Sequence, residues 1–417
     1  MEIYDLVKAK AQAAKKASVK LAVLDTEAKN KALLAMAQAL LDNEEVIIAA
    51  NDTDMINAKA KGMRESMQDR LKLTHARIEG MADGLRQVAT LVDPVGDVLS
   101  EKILPNGLKI TKIRVPLGVC GIIYEARPNV TADAAGLCLK SGNAVVLKGG
   151  SEAMESNKAI SKVLSDAATL AGMPEGAIQF IDIADRQAVS DLIHMNGLVD
   201  VVIPRGGAGL IKTVVMNASV PVIETGSGVC HTFVDASANV EMAMNIAVNA
   251  KVQRPSVCNA METLLVHKDI ADKFLPPMLA KYFELGVEIR GDEKVQAFSE
   301  KVVPATEEDW ATEYGDLILS VKVVEDVYEA IEHIRQFSTM HSECIVTEDA
   351  KNAEIFQKNV DAACVYVNAS TRFTDGGEFG FGAEIGISTQ KLHARGPMAL
   401  PELTSIKYLI NGQGQIR

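Results

Sequence analysis

The hydrophobic positions of the first 93 residues repeat at helical spacing. Leu33, Ala37 and Leu40, for example, follow each other at steps of four and three residues, which places them on one face of a helix. The first proline and glycine punctuation is the sequence DPVG at 93–96. The pattern therefore predicts an N-terminal helical region that ends at about residue 93.

After this point the hydrophobic period changes to that of strands. The stretch LKITKIRV at 108–115 follows the turn sequence PNG at 105–107. We predict a β-hairpin over about 95–117, and a hairpin of this kind can pair with another subunit. The tail at 391–417 contains the strand-like sequence SIKYLI, which we expect to return to the hairpin or to reach a partner subunit.

From Val119 onward, short apolar runs typical of strands alternate with helical patterns. The runs are VCGIIY, AVVLK, IQFIDI, DVVIP and PVIE, followed by AMETLLVH, VEIR, DLILSVKVV, ECIVT and CVYVNA. Such alternation indicates βαβ units and parallel sheets. We expect an α/β protein with two Rossmann-like domains, at 1–224 and 225–390, and a small β element to which the segment 391–417 contributes.

Composition and charge narrow the function classes. The 417 residues are 48% apolar and 24% charged, as in ordinary globular proteins, and 43 Lys and Arg against 55 Asp and Glu give a net charge of −12. This charge repels nucleic-acid phosphates and anionic membranes, so we expect neither as a partner. No apolar run approaches the roughly 18 residues of a membrane span, and the charged N-terminus has no signal-peptide core, which predicts a cytoplasmic protein.

The spacing of cysteines and histidines gives no sign of a metal site. Six cysteines occur without any C-x-x-C pair, and seven histidines occur without an H-E-x-x-H pattern. We therefore expect no bound metal and no disulfide scaffold.

The segment GNAVVLKGGSEA at 142–153 has the pattern of a strand, a glycine turn and a helix start. We expect Ser151 to be the N-cap of a helix that runs to Gly172, and such a junction directs free N–H groups at an anion. Lys148, at the strand end, is a candidate for holding a ribose or a phosphate. The alternative is a solvated lysine beside a tight turn. No G-x-G-x-x-G sequence follows a strand, so an ordinary Rossmann dinucleotide site is not indicated.

Cys258 stands at a boundary between elements. In AKVQRPSVCNAMETLLV at 250–266, a helical pattern ends near Arg254, Cys258 follows in a turn, and a strand begins. A nucleophilic thiolate needs a nearby cation or helix N-terminus to lower its pKa, and Arg254 is the nearest candidate. The alternatives are a buried structural thiol for Cys258 and an ion pair with a helix-end carboxylate for Arg254.

Two further polar residues follow predicted strands. Glu224 precedes the flexible turn GSG at 226–228, where a carboxylate can act as a base or contact a sugar, but capping or a salt bridge fits equally well. Asn129, in YEARPNVT, can donate its amide to a developing oxyanion, but an Asn after Pro is also a common turn residue.

In this order, these segments resemble the aldehyde dehydrogenase superfamily over nearly the whole chain, and most closely its members that reduce an acyl phosphate. The resemblance is carried by VPLGVCGIIYEARPNVT, GNAVVLKGGSEA, VIETGSGVCH, QRPSVCNAMETLLV, EYGDLILSVKVVEDVYEAI and YVNASTRFTDGGEFGFGAEIGISTQKLHARGPMALPELTSIKY. It implies an aldehyde-dehydrogenase-like fold in which 1–224 binds the cofactor, 225–390 carries the nucleophilic cysteine, and 391–417 serves oligomerisation.

The resemblance also implies roles for single residues. Cys258 matches the nucleophile, and Asn129 with the backbone N–H of Cys258 matches the oxyanion hole. Lys148 matches the residue that holds the adenosine ribose, next to Ser151, and Glu313 matches the residue that contacts the nicotinamide ribose.

Two segments depart from the superfamily pattern. The usual Glu-Leu-Gly-Gly-Lys is ETGSG at 224–228, and the usual Lys-Pro-Ser-Glu is KGGSE at 148–152. We place Glu224 among the cofactor-binding residues, with its role and the contacts to the cofactor's 2′-phosphate left open.

The activity implied by the resemblance is the NADPH-dependent reduction of L-glutamyl 5-phosphate to L-glutamate 5-semialdehyde and phosphate, through a cysteine thioester, in proline biosynthesis. Because this substrate is anionic and the chain is acidic, the site must be locally basic. The candidates are Arg254, Arg127, Arg372 and Arg395. Expected partners are a second copy of the chain and glutamate 5-kinase, which makes the substrate. Two alternatives are an aldehyde-oxidising dehydrogenase of the same fold and a non-catalytic binding protein that retains the fold.

Overall fold

The computed structural model of the chain describes residues 2–125 and 127–417, without the side chain of Ser66. In chain order, its helices are α1 (Ile3–Leu21), α2 (Thr26–Asp42), α3 (Glu44–Ala60), α4 (Glu65–Leu71), α5 (His75–Thr90), α6 (Asn129–Lys140), α7 (Met154–Leu170), α8 (Gln187–Leu192), α9 (Ala208–Asn217), α10 (Val240–Val252), α11 (Lys268–Glu284), α12 (Glu293–Gln296), α13 (Val327–Phe337) and α14 (Ala350–Asn359). None of these helices combines the length and the apolar character needed to cross a bilayer.

The strands are short and alternate with the later helices. They are β1 (Val98–Ile103), β2 (Lys109–Pro116), β3 (Val119–Tyr124), β4 (Ala144–Gly149), β5 (Ile178–Phe180), β6 (Val201–Arg205), β7 (Cys230–Val234), β8 (Met261–His267), β9 (Glu288–Gly291), β10 (Val303–Pro304), β11 (Ile318–Val324), β12 (Ser342–Val346), β13 (Cys364–Val367), β14 (Ile387–Ser388), β15 (Gly396–Pro397) and β16 (Thr404–Asn411). Turns of 3₁₀ helix lie at Ser151–Ala153, Glu307–Ala311, Thr371–Phe373 and Pro401–Leu403.

The first five helices confirm the helical pattern of the N-terminal region, which ends with α5 at Thr90. Helix α2 buries Leu33 and Leu40 completely. The carboxylate of Asp25 caps this helix by accepting a hydrogen bond from the Ala28 N–H at 2.8 Å. The apolar stripe and the cap thus explain both the buried face and the start of α2.

The expected hairpin is present, because β1 and β2 pair antiparallel. The tail returns to it: β16 pairs antiparallel with β2 from Thr404 opposite Pro116 to Asn411 opposite Lys109. The resulting sheet, in the order β1-β2-β16, carries exposed apolar side chains on its outer strands. These are Val98, Leu99, Ile103, Ile406, Tyr408, Leu409 and Ile410.

Two parallel sheets confirm the α/β fold class. One has the strand order β5-β4-β3-β6 and the other β10-β9-β11-β8-β7-β12-β13. Strands β3, β4, β7, β8 and β12 are buried along their whole length, as expected where both faces of a parallel sheet are covered. The PVIE run is not a strand; its only ladder contact is an isolated bridge between Val202 and Val222.

The chain divides into two compact units. The first comprises residues 1–225, 380–386 and 398–417 and includes the four-stranded parallel sheet and the hairpin sheet. The second comprises residues 226–379 and 387–397 and includes the seven-stranded sheet. The tail is shared between them, with 391–397 in the second unit and 398–417 in the first.

Candidate active site

In the second unit, Cys258 lies in the turn between α10 and β8 and is half-buried, whereas the other five cysteines are buried. Its carbonyl oxygen accepts a hydrogen bond from the Cys230 thiol, with a sulfur-to-oxygen distance of 3.2 Å. A Cβ placed on Gly228 would fall 1.5 Å from the same oxygen, so only glycine permits this close approach. The backbone at Cys258 is therefore held in place by its contacts with Gly228 and Cys230, at the start of β7.

Asn259 ties the cysteine loop to the segment around Arg372. Its Nδ2 donates to the carbonyl oxygen of Thr374 at 2.8 Å, and its own carbonyl oxygen accepts from the Thr371 hydroxyl at 2.8 Å. The guanidinium of Arg372 donates to the Asn259 side chain and, through Nε, to Gln253 Oε1 at 2.8 Å. Arg372 is thereby held beside Cys258 by neutral groups, and its positive charge is not cancelled by an ion pair among the described residues.

Arg372 lies close enough to the Cys258 thiol and to Arg254 to interact electrostatically with both. Burial lowers the pKa of Arg372, repulsion by Arg254 lowers it further, and attraction by Cys258 and Asp375 opposes both. Arg254 is exposed and makes no hydrogen bond or ion pair with any residue that the structure describes. The alternative interpretation of Arg254, an ion pair with a carboxylate at a helix end, is therefore not found among the described residues.

Glu313 reaches the same neighbourhood through its carboxylate. Its Oε1 accepts a hydrogen bond at 3.1 Å from the N–H of Gly228, the glycine that packs on the carbonyl of Cys258. Burial raises the pKa of Glu313, while the Gly228 N–H and the charge of Lys251 lower it. The second unit thus brings together Cys258, Arg254, Arg372 and Glu313.

Arg395, a fourth residue of this unit, does not belong to that basic group. Its Nη1 lies 2.7 Å from Asp361 Oδ1, and Lys391 Nζ lies 2.5 Å from Asp361 Oδ2. The two cations lower the pKa of Asp361 and share its negative charge. The guanidinium of Arg395, a candidate for the basic site, is thus engaged in an ion pair.

In the first unit, Lys148 lies next to the end of β4, as the sequence indicates. It is buried, and its Nζ donates to the carbonyl oxygen of Gly149 at 2.7 Å. Burial lowers the pKa of Lys148, and the nearby carboxylate of Glu152 opposes this shift. A partly desolvated ammonium therefore sits beneath the glycine turn, and it is not the solvated lysine of the alternative interpretation.

The role of Ser151 as an N-cap is wrong. Ser151 lies in a 3₁₀ turn, and α7 begins only at Met154 and ends at Leu170. The carboxylate of Asp54, from α3, accepts hydrogen bonds from the backbone N–H groups of Glu155 at 3.2 Å and Ser156 at 2.8 Å. The anion at this helix start is thus supplied by the chain itself, because a distant acidic side chain reaches the donors.

Asn129 is the first residue of α6 and is exposed, with Arg127 two positions before it. The amide Nδ2 of Asn129 donates to Asp133 Oδ2 at 3.0 Å. Desolvation raises the pKa of Asp133 to about 6, while the hydrogen bond from Asn129 and the charge of Arg205 oppose the shift. Asn has two amide hydrogens, so Asp133 orients the group and leaves one N–H to donate elsewhere.

Glu224 lies at the end of the main segment of the first unit and is half-buried. The following residue, Thr225, is fixed by a hydrogen bond from its hydroxyl to the carbonyl oxygen of Pro204 at 2.6 Å. The first unit thus carries Lys148, Ser151, Asn129, Arg127 and Glu224.

Among the described residues of both units, no group of three or more acidic, cysteine or histidine side chains is arranged to hold a metal ion.

Several site residues were missed from the sequence, namely Asp54, Asp133, Arg205, Lys251, Asn259 and Glu262. For two of them a signal was present. Glu262 interrupts the apolar run of β8, Lys251 lies in the last turn of the apolar helix α10, and both side chains are fully buried. Charged residues are almost never fully buried unless they are paired, so a charge in such a run indicates a partner.

Comparisons with known proteins show the family to which the chain belongs. Residues 4–298 match the model of the aldehyde dehydrogenase family. The gamma-glutamyl phosphate reductase of Caldanaerobacter subterraneus subsp. tengcongensis is 62% identical over 411 residues, which cover 99% of each chain. The crystal structure of gamma-glutamyl phosphate reductase from Thermotoga maritima matches with a TM-score of 0.97 and 49% identity over 99% of each chain.

A more distant structure shares only the fold. An engineered glycolyl-CoA reductase with bound NADP+ matches with a TM-score of 0.69 and 16% identity, over 97% of this chain and 93% of that chain. Together with the high identity of the nearer relatives, the comparisons establish both the fold and the family. The chain belongs to the aldehyde dehydrogenase family, in the group whose members are called gamma-glutamyl phosphate reductases.

Proposed function

We propose that this chain reduces L-glutamyl 5-phosphate to L-glutamate 5-semialdehyde and phosphate with NADPH, through a thioester on Cys258. The observation that carries the proposal is the half-buried Cys258 thiol, which lies in the same loop as Arg254 and interacts electrostatically with Arg372. Two guanidinium groups favour the thiolate over the thiol, and they also favour a dianionic leaving group. The names of the close relatives support the substrate.

In the proposed first step, Cys258 Sγ bonds to the acyl carbon and the bond from that carbon to the phosphate oxygen breaks. Phosphate leaves with the bonding electron pair, next to Arg254 and Arg372, with Arg127 as a further candidate for holding it. Asn129 donates the amide N–H that Asp133 leaves unused to the oxygen of the tetrahedral intermediate. After reduction of the thioester, the hemithioacetal collapses, the semialdehyde leaves, and the thiolate of Cys258 is restored.

The residues around Lys148 fit a nicotinamide dinucleotide. Gly149 and Gly150 leave the turn after β4 without side chains, and Lys148 places an ammonium beneath it. The amide Nδ2 of Asn157, next to Gly149, is buried without a hydrogen-bond partner among the described residues. When bound, NADPH supplies the hydride that reduces the thioester. We assign the adenosine ribose to Lys148 and Ser151 and the nicotinamide ribose to Glu313, with Glu224 as a further cofactor residue.

The test is the reverse reaction with the purified full-length chain. We expect reduction of NADP+ by glutamate semialdehyde only when inorganic phosphate is present. Reduction without phosphate, with release of glutamate, would indicate an aldehyde-oxidising dehydrogenase. Absence of NADP+ binding and of Cys258 alkylation by iodoacetamide would indicate a non-catalytic protein.

The proposed phosphate site has its own test. Arg254→Gln and Arg372→Gln should each raise the KM for phosphate by about tenfold, because each removes a charge-assisted hydrogen bond to the leaving group. Arg395→Gln is the matched control, since that guanidinium is held by Asp361. Equal changes in all three variants would remove Arg254 and Arg372 from the phosphate site.

We also propose that the protein is a cytoplasmic homo-oligomer of proline biosynthesis, supplied by glutamate 5-kinase. The sheet β1-β2-β16 supports self-association, because its outer strands expose Ile103, Ile406, Tyr408 and Ile410. Light scattering of Ile406→Lys/Ile410→Lys should give a smaller particle than the unaltered chain. An unchanged mass would exclude this sheet as the interface.

A further inference from the structure

Beneath the cysteine loop lies a buried ion pair. Lys251 Nζ is 2.6 Å from Glu262 Oε2, and the two side chains are 0% and 1% exposed. Burial raises the pKa of Glu262 to about 7 and lowers that of Lys251, while each charge favours the ionised form of the other. Because desolvation offsets much of the attraction in such a pair, stability alone is a weak reason to keep it.

The position of the pair along the chain connects it to Cys258. Lys251 lies in the last turn of α10, and Glu262 is the second residue of β8. The loop 253–260, which carries Cys258, runs between these two elements. The ion pair therefore joins the two ends of the loop that presents the thiol.

The second oxygen of Glu262 connects the pair to Glu313. Glu262 Oε1 accepts a hydrogen bond from the Gly315 N–H at 3.1 Å, while Glu313 Oε1 accepts one from the Gly228 N–H at 3.1 Å. Between them, the Tyr314 hydroxyl lies 2.8 Å from both Asp309 Oδ1 and Ser320 Oγ. Three consecutive residues are thus held by hydrogen bonds, and the acceptor for Gly315 is the carboxylate that is also bound to Lys251.

We infer that Lys251 and Glu262 are positioning residues that hold the Cys258 loop and the segment 313–315 in one fixed geometry. One carboxylate bridges the two segments, so displacement of either segment must break the partly buried hydrogen bond to Gly315 or the buried ion pair with Lys251. The inference rests on the proposed function, in which Cys258 is the nucleophile and Glu313 contacts the nicotinamide ribose. The pair acts through these two residues and does not touch the substrate.

The chain offers a matched control, which is the buried pair of Lys29 and Asp93. Lys29 Nζ is 2.7 Å from Asp93 Oδ2, and Asp93 Oδ1 accepts a backbone N–H from Val95 at 3.0 Å. Asp93 therefore resembles Glu262 in having a lysine on one oxygen and a backbone N–H on the other, and its Oδ2 accepts in addition a hydrogen bond from the Thr26 hydroxyl at 2.9 Å. It lies among the N-terminal helices of the first unit, outside the residues assigned to the site.

The experiment compares Glu262→Gln with Asp93→Asn in the full-length enzyme by the reverse assay. Both variants should lower the melting temperature, but only Glu262→Gln should raise the KM for NADP+ and lower kcat, each by about tenfold, because misplaced reacting groups lose rate steeply. Kinetic losses that follow the melting temperature equally in both variants would overturn the inference.

A double-mutant cycle with Glu313→Gln separates positioning from general loosening. If the pair acts through Glu313, Glu262→Gln should change the KM for NADP+ less than twofold in the Glu313→Gln background, because neighbours that act as one unit are not additive. Fully additive effects would contradict the inference. Should Glu262→Gln not fold, Lys251→Met/Glu262→Leu removes both charges and enters the same cycle.

Hydrogen exchange gives a readout that needs no turnover. Faster exchange of the Gly228 and Gly315 N–H groups is expected in Glu262→Gln and not in Asp93→Asn. Unchanged exchange at both glycines would refute the inference even if activity fell. If the unaltered chain has no phosphate-dependent activity, the proposed function fails, and hydrogen exchange still decides whether the pair joins the two segments.

Discussion

The two units differ in whether their anion-binding groups are already occupied by a side chain of the chain itself. In the first unit, the N–H groups at the start of α7 are occupied by the carboxylate of Asp54. In the second, Arg254 has no ion-pair or hydrogen-bond partner among the described residues, and the guanidinium of Arg372 donates hydrogen bonds to the neutral side chains of Gln253 and Asn259. One unit has already satisfied its anion site with its own side chain, whereas the other keeps positive charge available beside a thiol.

The attraction of an anion thus has a structural role in the first unit and is available for a reaction in the second. A helix N-terminus and a guanidinium both favour an anion, but only an unsatisfied one can favour a substrate or a thiolate. The comparison predicts that substitution of side chains around Cys258 lowers the rate of the reaction. Substitution of side chains around α7 should instead lower the stability of the protein or its affinity for the cofactor.

The largest expected effect is that of Cys258→Ser. A serine hydroxyl is a poor nucleophile at neutral pH and cannot form the thioester, so activity should fall by at least about a thousandfold with the fold intact. Cys138→Ala, which changes a buried cysteine of the first unit, is the control and should remain active. Retention of more than about a tenth of the activity in Cys258→Ser would remove Cys258 from the mechanism.

Asn129→Ala should have the next largest effect. Removal of one oxyanion donor typically costs about a hundredfold in kcat, and the KM for NADP+ should barely change. The measurement is the reverse assay at saturating cofactor. If cofactor affinity falls while turnover at saturation is preserved, Asn129 belongs to the cofactor site, and the first unit then contributes binding only.

Lys148→Ala tests whether Lys148 contacts the 2′-phosphate that distinguishes NADP+ from NAD+. With the N–H groups of α7 engaged by Asp54, the ammonium of Lys148 is the remaining cation of this turn, although Glu152 opposes it. The KM for NADP+ should rise by about tenfold and more than that for NAD+, because a charge-assisted contact is lost. Equal increases for the two cofactors would show that Lys148 contacts only the ribose.

The sequence predicts the architecture well because local patterns determine it. The helical period around Leu33, the PNG turn at 105–107 and the apolar runs of the parallel strands each depend on residues close together in the chain. The position of Cys258 between a helix and a strand was predictable for the same reason.

The sequence did not predict partners that meet only in the folded chain. Asp54 reaches residues more than a hundred positions away, and Arg372 meets Asn259 from another segment. The N-cap role of Ser151 failed because local spacing cannot show that a distant carboxylate occupies the helix donors. Lys251 and Glu262 are closer in sequence, and a charge within an apolar pattern indicates that each has a partner, but the pattern does not show that the two side chains meet.

Asp54→Ala is the smallest expected change in activity. It leaves the N–H groups of Glu155 and Ser156 without their acceptor, which should cost about 2 kcal/mol because these donors are buried or half-buried. Asp349→Ala, which removes an exposed cap of α14, is the matched control and should cost about 1 kcal/mol. Thermal unfolding measures both losses.

In Asp54→Ala, the ratio of the KM values for NADP+ and NAD+ should shift by less than about twofold, since Asp54 has a structural role in this comparison. A clear gain in NADP+ affinity would show instead that Asp54 masks an anion site, and that the two units differ only in what occupies them.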